Sequence, residues 1–353
     1  MPFWTSRRAG TRIEFKSLRS RDNLRSIPDI SRFPYYFRAH NLVIASDFHI
    51  QYLTPIANES DLEPDLMLVR DEGKRLPLAA PRNPNTMRRD DLYAFERGGT
   101  LAVRFANHVK MWIDGPTARL AWPSAMSIAD LSHCIMHAVI PLALSVRGYQ
   151  FLHAGAVVSE GGSTMLFLGE SGRGKSTLSS WFACNGARLL SDDAVRVAKI
   201  AGEWVAYPSY PSVSLREETR NRLFGNVSPA YRTASGMRKV RIEVCTTDSA
   251  PSVSAAASEL TCAYVLLPGR TTEPVISPMS ASSALPHLMK STFGLAIQSK
   301  RYNAHGGALD QAIDLCASVP MFTLTYCKSW RALPEVAARV AEHAAAIKKN
   351  ATR

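Results

Sequence analysis

The spacing of apolar and polar residues divides the chain into stretches of different character. From Tyr35 to about Trp122 the apolar residues fall in short runs, at 42–46, 66–69, 92–96, 101–105 and 109–113. Turn residues separate them: Asp71-Glu72-Gly73, Arg82-Asn83-Pro84-Asn85, Gly98-Gly99 and Asp114-Gly115-Pro116. Runs of this length between Gly, Pro, Asn and Asp predict strands, and the pair Gly98-Gly99 predicts a hairpin. Ser127 with Asp130 three residues on predicts a helix cap, because a serine oxygen can accept from an unpaired first-turn N–H. The helix it opens carries Leu131, Ile135, Val139 and Leu142 and ends near Gly148.

Strand and helix patterns then alternate. Strands are expected at 151–152, 156–158 and 164–168, with a turn at Gly161-Gly162. A glycine-rich stretch leads into a helix from about 176 to 185, which Gly186 is placed to stop. A strand at 188–190 runs into Asp192-Asp193. Beyond a Ser/Ala-rich connector at 250–258, the pattern gives a strand at 263–267 and helices near 284–290 and 308–318. A strand at 321–326 and an Ala-rich helix at 335–348 close the chain. The fold class is α/β, preceded by a β-rich portion. The expected domains are a basic flexible arm over 1–30, a β-rich domain over 31–125 and an α/β domain over 126–353.

A hydrophobic share of 46% and a charged share of 20% suit a soluble globular chain. The net charge of +12 narrows the partners to anions: nucleotides, acidic peptides, nucleic acid or anionic membrane. Much of the excess lies in the first forty residues, at Arg7, Arg8, Arg12, Lys16, Arg19, Arg21, Arg25, Arg32 and Arg38. No helix-turn-helix, finger or basic–aromatic motif accompanies it, so nucleic acid is not the expected partner. The six cysteines form no Cys-x-x-Cys pair, which fits a reducing compartment and no metal framework. The N-terminus lacks a signal-like apolar core. The most apolar stretch, 134–158, is broken by His137, Pro141, Arg147 and His153. A cytoplasmic protein without a membrane partner is expected. His133 and His137 share a helical face, but no third ligand is in sight, and metal binding there is not expected.

One motif carries chemistry. Gly169-Glu170-Ser171-Gly172-Arg173-Gly174-Lys175-Ser176 follows an apolar strand and opens a helix, with Thr177 next. Its glycines permit the positive φ angles that turn N–H groups inward around a phosphate. The helix N-terminus faces the same anion, Lys175 can reach the β- and γ-phosphates, and the Ser176 hydroxyl can ligate Mg²⁺. Nucleotide binding is expected. Asp192-Asp193 ends a strand downstream, where one carboxylate can hold the metal and the other can accept a proton from an attacking hydroxyl.

These residues resemble the HPr kinase/phosphorylase family in three places. They are His153-Ala154-Gly155-Ala156-Val157, the glycine loop, and Ser191-Asp192-Asp193. The likeness covers about residues 150–197. It implies a P-loop domain with a central mixed sheet flanked by helices, which uses ATP and Mg²⁺ to phosphorylate a serine of a peptide or small protein. By position, the resemblance makes Asp192 the catalytic base. Asp193 assists with metal or positioning, and His153 and Lys175 lie beside the phosphates. Two features depart from the family. Thr177 stands where a Glu is usual, and the Gly-rich loop that supports phosphorolysis is missing. The basic run 237–242 is a candidate phosphate or peptide contact, or a charge-guarded edge strand. The stretches 139–144 and 152–157 are also similar to stand-alone HPr-kinase-like proteins, some of which act on lasso-type precursor peptides. The resemblance allows homo-oligomers. A P-loop ATPase, or a nucleotide-bound regulatory scaffold without a phospho-acceptor, fits the same loop.

Overall fold

The computed structural model describes residues 33–53, 55–56, 63–71, 100–105, 108–210, 212–225, 256–269, 273–294 and 307–351. It also describes the backbone of the strands at 13–14, 17–18, 92–97, 231–232 and 239–243. The chain forms two compact units. One comprises Met1–Phe37 and Val43–Ile135, the other Arg38–Leu42 and Met136–Arg353.

The first unit is built on a nine-stranded sheet. Its strands are β1 (Ile13–Glu14), β2 (Ser17–Leu18), β3 (Tyr35–Ala39), β4 (Leu42–Ser46), β5 (Leu66–Arg70) and β6 (Leu92–Arg97), followed by β7 (Thr100–Arg104), β8 (Lys110–Asp114) and β9 (Thr117–Ala121). They lie in the order β1-β6-β7-β8-β9-β5-β4-β3, with β2 also on β6. Apart from β1 and β2, the expected basic arm lies outside the described residues, as do Gly98 and Gly99 themselves. The strands flanking those glycines pair antiparallel with Arg97 opposite Thr100, as a two-residue hairpin requires. The β3–β4 hairpin also turns on two residues. His40 and Asn41 both sit at φ +55°, the left-handed pair of a type I′ turn. The sequence pattern missed β9 because Leu120 is its only large apolar residue.

Helix α1 (Ile128–Cys134) starts as its sequence predicts. Ser127 Oγ accepts from Asp130 N at 3.0 Å and donates to Asp130 Oδ2 at 2.8 Å. A π-helical turn (Ile135–Val139) and α2 (Ile140–Val146) follow. Pro141 has no N–H to give the carbonyl four residues back, at His137, and the helix widens there. The run Ile128–Val146 is long and apolar enough to cross a membrane, and 72% of its apolar window is buried inside the protein.

The second unit begins with β10 (Gln150–Leu152), β11 (Gly155–Val158), β12 (Thr164–Leu168), α3 (Lys175–Cys184) and β13 (Arg188–Asp192). It continues through β14 (Val195–Ile200), β15 (Glu203–Ala206), β16 (Ser212–Arg216), α4 (Glu217–Phe224), β17 (Tyr231–Arg232) and β18 (Lys239–Glu243). The last elements are β19 (Ser258–Pro268), β20 (Val275–Pro278), α5 (Ala281–Ser291), α6 (Ala308–Ser318), β21 (Met321–Tyr326) and α7 (Leu333–Ala351).

The main sheet runs β13-β11-β12-β19-β21-β20. Strands β12, β19 and β21 are parallel, while β11 runs antiparallel to both neighbours. This mixed sheet confirms the α/β character. The hairpin β14–β15 joins the start of β19, and β10 pairs with β14.

Alternation along β12 explains the layers. Met165 and Phe167 pack with Leu178 and Phe182 of α3 and with Val336 and Val340 of α7. Leu166 and Leu168 belong to the opposite cluster, with Leu288 of α5 and Leu315 of α6. Successive strand residues face opposite ways, so a strand buried on both faces reads as an unbroken apolar run. Elements β14, β15, β16 and α4 were not legible in the sequence: β14 carries Arg196 and Lys199, and half of α4 is charged. The Ser/Ala-rich connector lies outside the described residues up to position 255, and the run 237–242 is described only as the backbone of β18 from Lys239.

Candidate active site

Strand β12 is buried along its whole length and ends one residue before the glycine loop. Gly169, Gly172 and Gly174 adopt φ values of +138°, +81° and +106°. At Gly174 no other residue fits: a Cβ there would lie 2.6 Å from the Tyr326 Oη, on a backbone that L side chains rarely adopt. Lys175, Ser176 and Thr177 form the first turn of α3. Lys175 is 7% exposed, and its Nζ donates to Gly169 O at 2.7 Å and Glu170 O at 3.4 Å. Its ammonium therefore lies within the bend of the loop. Ser171 is exposed, and the exposed Glu170–Arg173 pair at 2.9 Å contributes little to stability.

The outer side of the loop is tied to the segment that follows β21. Tyr326 Oη donates to Arg173 O at 3.1 Å, and Lys328 Nζ donates to Gly172 O at 2.7 Å. In a trans peptide the next N–H points opposite to the carbonyl, so the N–H groups of Arg173 and Gly174 face away from these donors, and that of Arg173 donates to Glu170 O at 3.2 Å. Burial pushes the Tyr326 phenol up to about 12, which keeps it a donor. Neither Tyr326 nor Lys328 was legible as a site residue, since about 150 positions separate them from the loop.

Sheet register brings the acidic pair to the same end. Gly155 of β11 pairs with Phe167 of β12 on one side and with Asp192 of β13 on the other. Because β11 opposes both, β12 and β13 run parallel and end together, two strand spacings or about 10 Å apart. His153 precedes β11 at that end, and its N–H donates to Ser291 O at 2.6 Å. Gly155 lets α3 approach: a Cβ there would collide with the Ser179 Oγ.

The two aspartates have different partners. Asp192 is 2% exposed, and its Oδ2 accepts from Ser214 N at 3.2 Å. Its carbonyl accepts from Ala194 N at 3.0 Å across a tight turn. Asp193, in the middle of that turn, sits at φ +77°. Its Oδ2 lies 3.0 Å from His137 Nδ1 and its Oδ1 lies 3.0 Å from His153 Nδ1, which also meets the Asp193 carbonyl at 3.1 Å. Burial alone would raise the Asp193 carboxyl. The His153 charge, the hydrogen bonds from His137 and His153, and the His137 charge outweigh burial and hold it well below the usual carboxylate range. In the sequence His137 forms only an incomplete metal-ligand pair with His133. Its partner Asp193 lies 56 positions away, and no local pattern announces the contact.

A nucleotide fits this donor set. The three positive-φ glycines, the buried lysine and the N-terminus of a ten-residue helix are the features that cradle phosphate. A protein-caged metal does not fit: no three His, Cys, Asp or Glu side chains among the described residues could enclose an ion. Mg²⁺ needs no such cage, since it keeps several waters and takes one or two carboxylates with the nucleotide's own phosphates. Ser176 and Asp193 suit that looser role.

Neither a family model nor a curated protein matches the sequence. Among solved structures, the Hpr(Ser) kinase/phosphatase from Coxiella burnetii aligns at 14% identity over 55% of this chain and 95% of that one. The TM-score is 0.30, a likeness too slight to carry an argument about fold or function.

Proposed function

We propose that the second unit is an ATP- and Mg²⁺-dependent kinase that transfers the γ-phosphate to a serine hydroxyl of a peptide or small protein. The observation that supports this reading most is the convergence at one sheet end of the glycine loop, the buried Lys175 and the Asp192-Asp193 turn.

The loop N–H groups and Lys175 hold the phosphates, with Ser176 in the first turn of α3 to assist the metal. Ser176 and Asp193 would hold Mg²⁺, which would supply charge neutralisation at the phosphate oxygens. Asp193 is a poor base, because its carboxyl is held so low and both of its oxygens face imidazoles. It positions groups and assists the metal, while Asp192 accepts the proton. The serine oxygen bonds to the γ-phosphorus, the bond to the bridging oxygen breaks, and the hydroxyl proton passes to Asp192 as ADP leaves. Positioning and charge neutralisation supply most of the rate. A lasso-type precursor peptide is one acceptor of this class.

The test follows labelled phosphate from ATP into candidate serine peptides, with Asp192→Asn alongside the unchanged protein. Loss of at least about a hundredfold in kcat is expected for removal of a general base. Equal labelling by both proteins overturns the assignment of Asp192. Steady phosphate release that no peptide alters makes the protein an ATPase, and tight ATP binding without turnover makes it a scaffold.

A further inference from the structure

We infer that His137 is a positioning residue that fixes the plane of the Asp193 carboxylate, an inference that rests on the kinase reading for its functional meaning. Asp193 occupies a left-handed backbone conformation, at φ +77°, in a tight turn. One hydrogen bond would leave its carboxylate free to rotate about the Cβ–Cγ bond. Here each oxygen has its own imidazole, His153 Nδ1 on Oδ1 and His137 Nδ1 on Oδ2, both at 3.0 Å. An ionised carboxylate only accepts, so both Nδ1 atoms are donors.

His137 is itself held in place. It is buried on the π-helical turn, with its ring edge-on to Tyr210 at 5.7 Å and 78°. Tyr210 is fixed in turn, since its hydroxyl donates to the carbonyl of Met136, the residue before His137, at 2.6 Å. The half-exposed His153 is anchored by its N–H to Ser291. The carboxylate therefore stands between one imidazole set in the core and one at the open side. It is oriented before any substrate arrives, and pre-set geometry of this kind is what lowers barriers in phosphoryl transfer.

Three variants test the inference. His137→Phe keeps the ring and its packing on Tyr210 but removes the donor. His137→Asn places an amide N–H near the position of Nδ1. The double variant His137→Phe with Asp193→Asn asks whether the two residues act as one. In protein labelled with ¹⁵N-histidine and free of nucleotide, the His153 Nδ1 proton is expected to exchange faster in His137→Phe and at the original rate in His137→Asn. In turnover, His137→Phe is expected to lose at least about tenfold in kcat with little change in the KM for ATP. His137→Asn recovers most of that loss, and the double variant is no slower than Asp193→Asn alone. Unchanged His153 exchange in His137→Phe overturns the clamp, as does additive loss in the double variant. If the unchanged protein turns over no ATP, the kinase reading fails, and the exchange measurement alone then decides whether His137 orients Asp193.

Discussion

Acidification perturbs His40, the first residue of the β3–β4 turn and a member of the second unit by its contacts. The side chain is fully buried, edge-on to Phe151 at 4.9 Å and to Tyr210 at 5.8 Å, with Nε2 3.2 Å from Ser209 Oγ. Burial, then the charges of Arg196 and His137, lower its pKa from 6.5 to about 3. Arg196 donates to the His40 carbonyl at 2.8 Å while stacked on Tyr207 at 4.1 Å. The folded pKa lies below the unfolded one. Between pH 6.5 and about 3 the unfolded chain thus binds a proton that the folded chain refuses. Stability rises with pH through that window and is lost as pH falls below its upper edge. Each pH unit is worth about 1.4 kcal/mol, so a drop to about pH 5 removes roughly 2 kcal/mol relative to about pH 7. The comparison variant is His40→Asn, which cannot titrate and tolerates φ +55°. Urea unfolding would be followed by pulse-labelling mass spectrometry of β12 and β19 peptides, which report on the second unit's sheet. The unchanged protein is expected to lose about 2 kcal/mol more than His40→Asn between the two pH values. Equal losses refute the reasoning, because other acid-sensitive groups are common to both proteins.

Three substitutions probe the loop and the core beneath it. Gly174→Ala forces a methyl to within 2.6 Å of the Tyr326 hydroxyl at φ +106°, and calorimetry is expected to show ATP affinity reduced at least about tenfold. Tyr326→Phe removes only the bond to Arg173 O, so thermal unfolding should register a loss of about 1 kcal/mol. Leu178→Ala, fully buried where α3 meets the sheet, is expected to cost about 2–5 kcal/mol in urea titration.

The amino-acid order alone announced the glycine loop, because its eight residues are contiguous and their backbone demands are local. The run 164–168 was legible for a related reason, since a strand buried on both faces is apolar without interruption. The residue pattern places helix α6 and strand β21 at their true limits, and the Ser127 cap marks where α1 starts though not where it ends. Strands β14 and β15 were not legible, because Arg196 and Lys199 interrupt the apolar run of β14 and β15 offers only three apolar residues in succession.

What only the tertiary structure decided is which groups meet. Asp192 and Asp193 are neighbours in sequence, yet one accepts from Ser214 and the other lies between two histidines 56 and 40 positions away. Strand register placed the loop, His153 and the acidic turn at one end of the sheet, and a π-helical turn brought His137 to Asp193. Secondary-structure signals arise from interactions a few residues apart, whereas these contacts depend on pairing between distant segments, which becomes fixed only when the chain packs.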